Sequence, residues 1–247
     1  TFTPPTTAFT DDINTALILN ADVNQGTWAE DTSTGLAIST DSRIKLDGTG
    51  DYLTVPSSSD WDFDTGEFTF EQWINLDTIG GSNFGLMSNH TGGGWQWTYH
   101  VTLEKFQLWS SDQDAYRSDV QVISTGTWHH IAVTRDSDTF RHYFDGVEIG
   151  NGAITEDMYS TATALAICAS ASDGTGSWAQ AGYVDEIRIS NICRYPDGTT
   201  FTPQTRGNPF TADANTKLLI HSDYTGGLGA DSSGNYNNFT ATNLVAT

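Results

Sequence analysis

The run from Trp128 to Ile149, WHHIAVTRDSDTFRHYFDGVEI, leaves the chain little freedom in how it folds. Three short stretches rich in β-branched and aromatic residues are joined by Asp136-Ser137-Asp138 and by Asp145-Gly146. An Asp-Gly pair between two such stretches is among the strongest short-range hairpin signals, because the type I′ turn needs positive φ at both central residues. A three-stranded antiparallel meander is expected here. Such a ribbon cannot bury its own apolar face, so other segments must supply facing strands.

Those segments are present. In FTFEQWINL, Phe68, Phe70, Ile74 and Leu76 fall on one face of a strand and Thr69, Glu71, Trp73 and Asn75 on the other. LAICAS (165–170) and GYVDEIRIS (182–190) bracket a loop rich in Gly and Ser that holds Trp178, and the simplest expectation is that the two pair across it. With 24 glycines, eight Trp, nine Tyr and only 17% charged residues, the composition suits strands and turns, and no convincing amphipathic helix is found. At 247 residues the chain can bury a full core.

An internal repeat bears on domain organisation. Residues 1–22, TFTPPTTAFTDDINTALILNAD, recur as residues 200–223, TFTPQTRGNPFTADANTKLLIHSD. Phe9, Asn14, Thr15, Leu17 and Asp22 match Phe210, Asn215, Thr216, Leu218 and Asp223. The expected division is a linker or exchange segment over 1–15, one β domain over 16–199, and a linker plus the first strand of a following repeat, or an exchanged strand, over 200–247. The opening at Thr1 rather than Met suggests a fragment or a processed product.

Ten Lys and Arg stand against 31 Asp and Glu, a formal charge of −21. That field repels nucleic-acid phosphates and anionic membrane surfaces, so neither is expected as a partner. No apolar run approaches the roughly 20 residues of a membrane helix. Two cysteines, Cys168 and Cys193, allow at most one bridge. Buried free thiols and a disulfide both remain open.

The words LDGTGDYLTVP (46–56), FTFEQWINL (68–76), TWHHIAVTRDSDTFRHYFDGVEI (127–149) and GYVDEIRIS (182–190) resemble, in order, the laminin-G-like jelly rolls of the concanavalin A-like lectin and glucanase superfamily. RYPDGTTFTP, FTADANTKLLIHSD and DSSGNYNNFT are similar to repeats of marine phage virion and tail-fibre proteins. The first resemblance implies an all-β, antiparallel β-sandwich with binding loops at one rim or on the concave face. It also implies a structural Ca2+ between the terminal and N-terminal strands, for which Asp185 and Asp22 are the candidate ligands. Hard cations want several oxygens, so the acidic runs Asp60, Asp62, Asp64 and Asp112, Asp114, Asp119 are lesser candidates.

Catalysis is not expected. A retaining glycosidase needs two carboxylates about 5 Å apart. Glucanase relatives carry an E-x-D-x-x-E-like strand motif that this chain lacks, and no G-x-S-x-G elbow appears. His129 and His130 are adjacent on a strand and face opposite ways, so they cannot share a metal. The better signal is aromatic, since a sugar ring stacks its apolar face on Trp or Tyr. Trp95 and Trp97 after three glycines, with Trp109, Tyr116 and Trp178 near other loop edges, form the candidate ligand platform, while Trp28, Trp61, Trp73 and Trp128 go to the core. The expectation is a non-catalytic binding or adhesion module, extracellular or on a virion surface, that recognises a glycan or a cell-surface receptor. The rival is a structural virion or filament component that forms homo-oligomers by strand exchange through residues 210–247.

Overall fold

The computed structural model describes residues 19–20, 30–31, 43–80, 83–90, 93–110, 115–159, 163–170, 178–222, 228–229 and 231–243. It divides into two units, Thr1–Ser42 and Arg43–Thr247. In the first, β1 (Leu19–Asn20) and β2 (Glu30–Asp31) form a short antiparallel ladder. Asp22 and Trp28 lie outside the described residues.

The second unit is a β-sandwich. Its strands are β3 (Ile44–Asp47), β4 (Tyr52–Val55), β5 (Phe68–Leu76), β6 (Phe84–Ser88), β7 (Gln96–His100) and β8 (Lys105–Trp109). There follow β9 (Ala115–Arg117), β10 (His129–Asp136), β11 (Thr139–Phe144), β12 (Val147–Ala153) and β13 (Leu165–Ile167). The last four are β14 (Ala181–Ser190), β15 (Thr216–Ile220), β16 (Leu228–Gly229) and β17 (Phe239–Thr242). One sheet runs β12-β11-β10-β5-β14-β15, with β3 beside the other half of β14; the second runs β16-β17-β4-β13-β6-β7-β8-β9. Every ladder is antiparallel, and no α-helix occurs among the described residues.

The expected meander is present as β10, β11 and β12, turned at Ser137 and at Asp145-Gly146, all three with positive φ. β5 shows the expected split, with Phe68, Phe70, Ile74 and Leu76 in the core. Phe68, Phe70 and Trp95 stack in series, with centroids 4.5 and 4.4 Å apart. Each fully buried side chain of this kind contributes about 1.5–3 kcal/mol. The 165–170 and 182–190 segments do not pair with each other: β13 lies between β4 and β6 in one sheet, and β14 lies between β5 and β15 in the other. The connection carrying Trp178 therefore crosses between sheets.

The boundary expected at residue 199 does not mark the end of the domain. β15 pairs with β14, and β17 pairs with β4 through Thr240↔Thr54 and Ala241↔Leu53. Leu218, Ile220 and Phe239 belong to the common core. Nor is the expected linker at the start of 200–247 a solvated one; it is part of a packed segment over 194–209. Tyr195 and Phe201 stack at 3.7 Å, Trp73 Nε1 donates to the Gln204 carbonyl at 3.1 Å, and Tyr143 donates to the Tyr195 carbonyl at 2.7 Å. The segment is a strap over the outer face of the first sheet, held by aromatic contacts that a solvated linker lacks. A chain ending at Pro203 is accordingly expected to lose cooperative unfolding, because β14 and β4 each lose a neighbour. A thermal melt followed by near-ultraviolet circular dichroism checks this; a full-height transition from the shortened chain would contradict it.

Both cysteines are free thiols. Cys168 is buried, and burial pushes its thiol far above the usual range.

Candidate functional site

Strands β7 and β8 alternate strictly. Trp97, Tyr99, Phe106 and Leu108 enter the core, while Gln96, Thr98, Gln107 and Trp109 fall on the opposite face. Register sets Gln96 across from Trp109, and Thr98 across from Gln107 and then Arg117. The face of β7 and β8 turned away from the core is thus polar apart from Trp109, and Gln96, Thr98 and Gln107 on it are buried. Arg117 Nε donates to Gln107 Oε1 at 2.6 Å, and its guanidinium lies 5.8 Å from the Trp109 ring. Gln96 Nε2 donates to Ser170 at 3.2 Å.

Trp178 reaches this face through the sheet-crossing connection. Gly85 donates its N–H to the Trp178 carbonyl at 2.9 Å, and a Cβ on Gly85 would lie 2.3 Å from the Ala169 carbonyl carbon, so only glycine lets the connection lie so close. Trp178 has φ of +62°, a left-handed backbone that is unusual for a bulky residue, and its side chain is 37% exposed.

Two clefts meet at Trp178. The smaller, about 200 Å³, is lined by His90, Gln96, Trp109, Ser110 and Trp178. The larger, about 530 Å³, is lined in part by Asp47, Thr49, Asn83, Trp178 and Gln180. Several buried polar atoms of these linings have no hydrogen-bond partner among the described residues: both amide atoms of Gln180, His90 Nδ1 and Ser110 Oγ. Thr98 Oγ1 and Gln107 Nε2, beside the smaller cleft, are in the same state. Unpaired buried polar atoms are costly and mark places where water or a ligand completes the bonding.

Of the five expected platform residues, the structure brings Trp109 and Trp178 together. Trp95 and Trp97 are 0% exposed and cannot stack on a ligand. Gly94, at φ +81°, turns the chain directly into β7, so Trp97 takes a core position by alternation and Trp95 seats its indole N–H on the Trp61 carbonyl at 2.9 Å. Tyr116 is also in the core against Phe140, and its hydroxyl donates to Glu156. The polar companions Gln180, Ser110 and His90 have no motif that would single them out. Of the four tryptophans assigned to the core, Trp61 is there, while Trp73 lies under the strap and Trp128 beneath the Arg206 guanidinium at 3.7 Å.

Of the two expected calcium ligands, Asp22 lies outside the described residues, and Asp185 is engaged within the chain: its Oδ2 accepts from Arg206 Nε at 2.6 Å and its Oδ1 from the Glu186 N–H at 2.8 Å. Burial nevertheless raises its pKa to about 6. No group of three or more His, Cys, Asp or Glu suited to a metal occurs among the described residues. Among the described residues, neither cleft lining brings together the two carboxylates that a glycosidase of the retaining kind requires. No described helix is long and apolar enough to cross a membrane.

The family profile for the concanavalin A-like lectin/glucanases superfamily matches residues 47–198, more than half of the chain. The chain belongs to this superfamily. Concanavalin A-like architecture also emerges from comparison with solved structures. A candidate carbohydrate-binding protein from Bacteroides ovatus aligns with a TM-score of 0.61 at 17% identity, covering 89% of this chain and 66% of that one. The binding domain of Paraclostridial Mosquitocidal Protein 1 aligns at 0.51 with 14% identity, over 72% of this chain and 48% of that one. At such identities the likeness is one of fold. No curated protein matches the concanavalin A-like chain in sequence.

Proposed function

We propose that the protein is a non-catalytic carbohydrate-binding module, acting outside cells or on a virion surface, with the cleft between Trp109 and Trp178 as its sugar site. One observation carries this reading: two tryptophans from distant parts of the chain line one cleft in which His90 Nδ1 and Ser110 Oγ have no partner among the described residues. An aromatic face receives the apolar side of a pyranose, and an amide or hydroxyl beside it meets the sugar hydroxyls. The Bacteroides ovatus neighbour, a candidate carbohydrate binder on the same fold, agrees with it. Calcium plays no part in this reading. The seating of β15 and β17 in the two sheets of the same chain supports this reading over assembly by strand exchange.

A microarray of neutral and acidic glycans, probed with the chain and with the Trp109→Ala/Trp178→Gly double variant, tests the proposal. Binding to a defined glycan that the double variant lacks is the expected result. Equal signals from the two proteins, or none from either, would sink it.

A further inference from the structure

We infer that the site takes an extended neutral oligosaccharide lying across Trp178, with sugar units on both sides of the indole, rather than a single terminal sugar. This rests on the carbohydrate-binding reading above and goes beyond it in length and charge of the ligand.

The length follows from the layout. Trp178 lines both clefts, and so is the wall they share. The larger cleft falls within the range of about 300–1,000 Å³ typical of small-molecule sites and the smaller falls below it, so the pair exceeds what one ring fills. Each cleft has its own polar groups. His90 and Ser110 stand in the small one; Asn83, Asp47 and the 4% exposed Gln180 stand in the large one. Half-buried Asn83 offers the large cleft an amide with one acceptor and two donors. Gly48, Gly50 and Gly80 line the same cleft, and a Cβ on Gly80 would meet nothing within 4 Å, which leaves the backbone open to a close ligand.

The charge follows from what is missing in the lining. Among the described residues, neither cleft lining contains Lys or Arg. Arg117, beside the smaller cleft, is turned to Gln107 and Trp109 and does not line the larger one. Asp47 faces the larger cleft, and the chain carries −21 overall. A uronate, sialate or sulfate entering the larger cleft meets the Asp47 carboxylate, with no Lys or Arg among the described lining residues there to offset it.

Isothermal titration with cello-, xylo-, arabino- and manno-oligosaccharides of one to six units, and with oligogalacturonides as charged counterparts, tests the inference. Affinity for one neutral series is expected to rise at least tenfold from the monosaccharide to the trisaccharide. Asn83→Ala, at a half-buried position of the larger cleft, is expected to remove most of that gain. A flat ladder, or tighter binding of oligogalacturonides than of every neutral series, overturns the inference and leaves the carbohydrate-binding reading standing. Absence of binding by all of these sugars, together with a blank microarray, overturns both.

Discussion

Replacing Glu71 by Ala is expected to lower the free energy of unfolding by about 3–5 kcal/mol, the usual cost of stripping one partner from a buried ion pair. Glu71 is fully buried on the outer face of the first sheet, beneath the strap. Its Oε1 accepts from Arg188 at 2.7 and 2.8 Å, and its Oε2 from His130 Nε2 at 3.1 Å and the Tyr195 hydroxyl at 2.6 Å. Without the carboxylate, the Arg188 guanidinium is left buried opposite a cavity, and Tyr195 loses the bond that seats the strap. Urea unfolding, comparing midpoints at constant slope, reads the effect; a change below about 1 kcal/mol would show that the network is dispensable.

The same residue gives a pH signature. Burial alone pushes the Glu71 carboxyl upward, but the His130 hydrogen bond and the Arg188 charge outweigh it and hold the group at about 2, against 4.5 for the free side chain. A depressed folded-state value means that the stabilisation is complete above about pH 4.5 and is lost as pH falls toward 2. The stability gap between the native chain and Glu71→Gln is therefore expected to shrink steadily from pH 5 to pH 2. Taking the difference matters, because acid also relieves the self-repulsion of a strongly anionic chain. A gap that stays constant with pH would contradict the assignment.

Trp178→Gly is expected to abolish glycan binding, at least a hundredfold loss, while changing the free energy of unfolding by no more than about 1–2 kcal/mol. Two opposing terms set that small number. Part of a large apolar side chain leaves its contacts, a loss of up to about 3 kcal/mol. Against it, glycine accepts the φ of +62° freely, whereas an L side chain there costs about 1–2 kcal/mol. A structural tryptophan gives the opposite result, with stability falling sharply. Paired titration calorimetry and urea unfolding on one preparation decide between the two.

The architecture was largely legible in the sequence, because hairpin chemistry at Asp145-Gly146 and period-two alternation over 68–76 are local signals. The site was only half legible. Reading Trp95 and Trp97 as loop residues gave weight to the glycines before them, when the alternation after them was the stronger cue. In QWTYH, Trp97 keeps step with Tyr99; in KFQLW, Trp109 keeps step with Lys105 and Gln107 and so belongs to the polar face. Trp178 could be singled out only as an aromatic in a loop, since its place depends on a crossing between sheets that no local pattern encodes. The place of the C-terminal segment was obscured by the repeat itself, which made 200–247 look like the start of something new.

Closing the second sheet joins Thr54 to Thr240, two residues made at opposite ends of the domain's synthesis. A nascent chain that has emerged only through β14 therefore carries two open strand edges, and it cannot close them until β15 and β17 arrive. Such late, distant pairing slows folding and prolongs exposure to neighbours. With a formal charge of −21, copies of the half-made chain repel one another, which works against pairing of those open edges between copies.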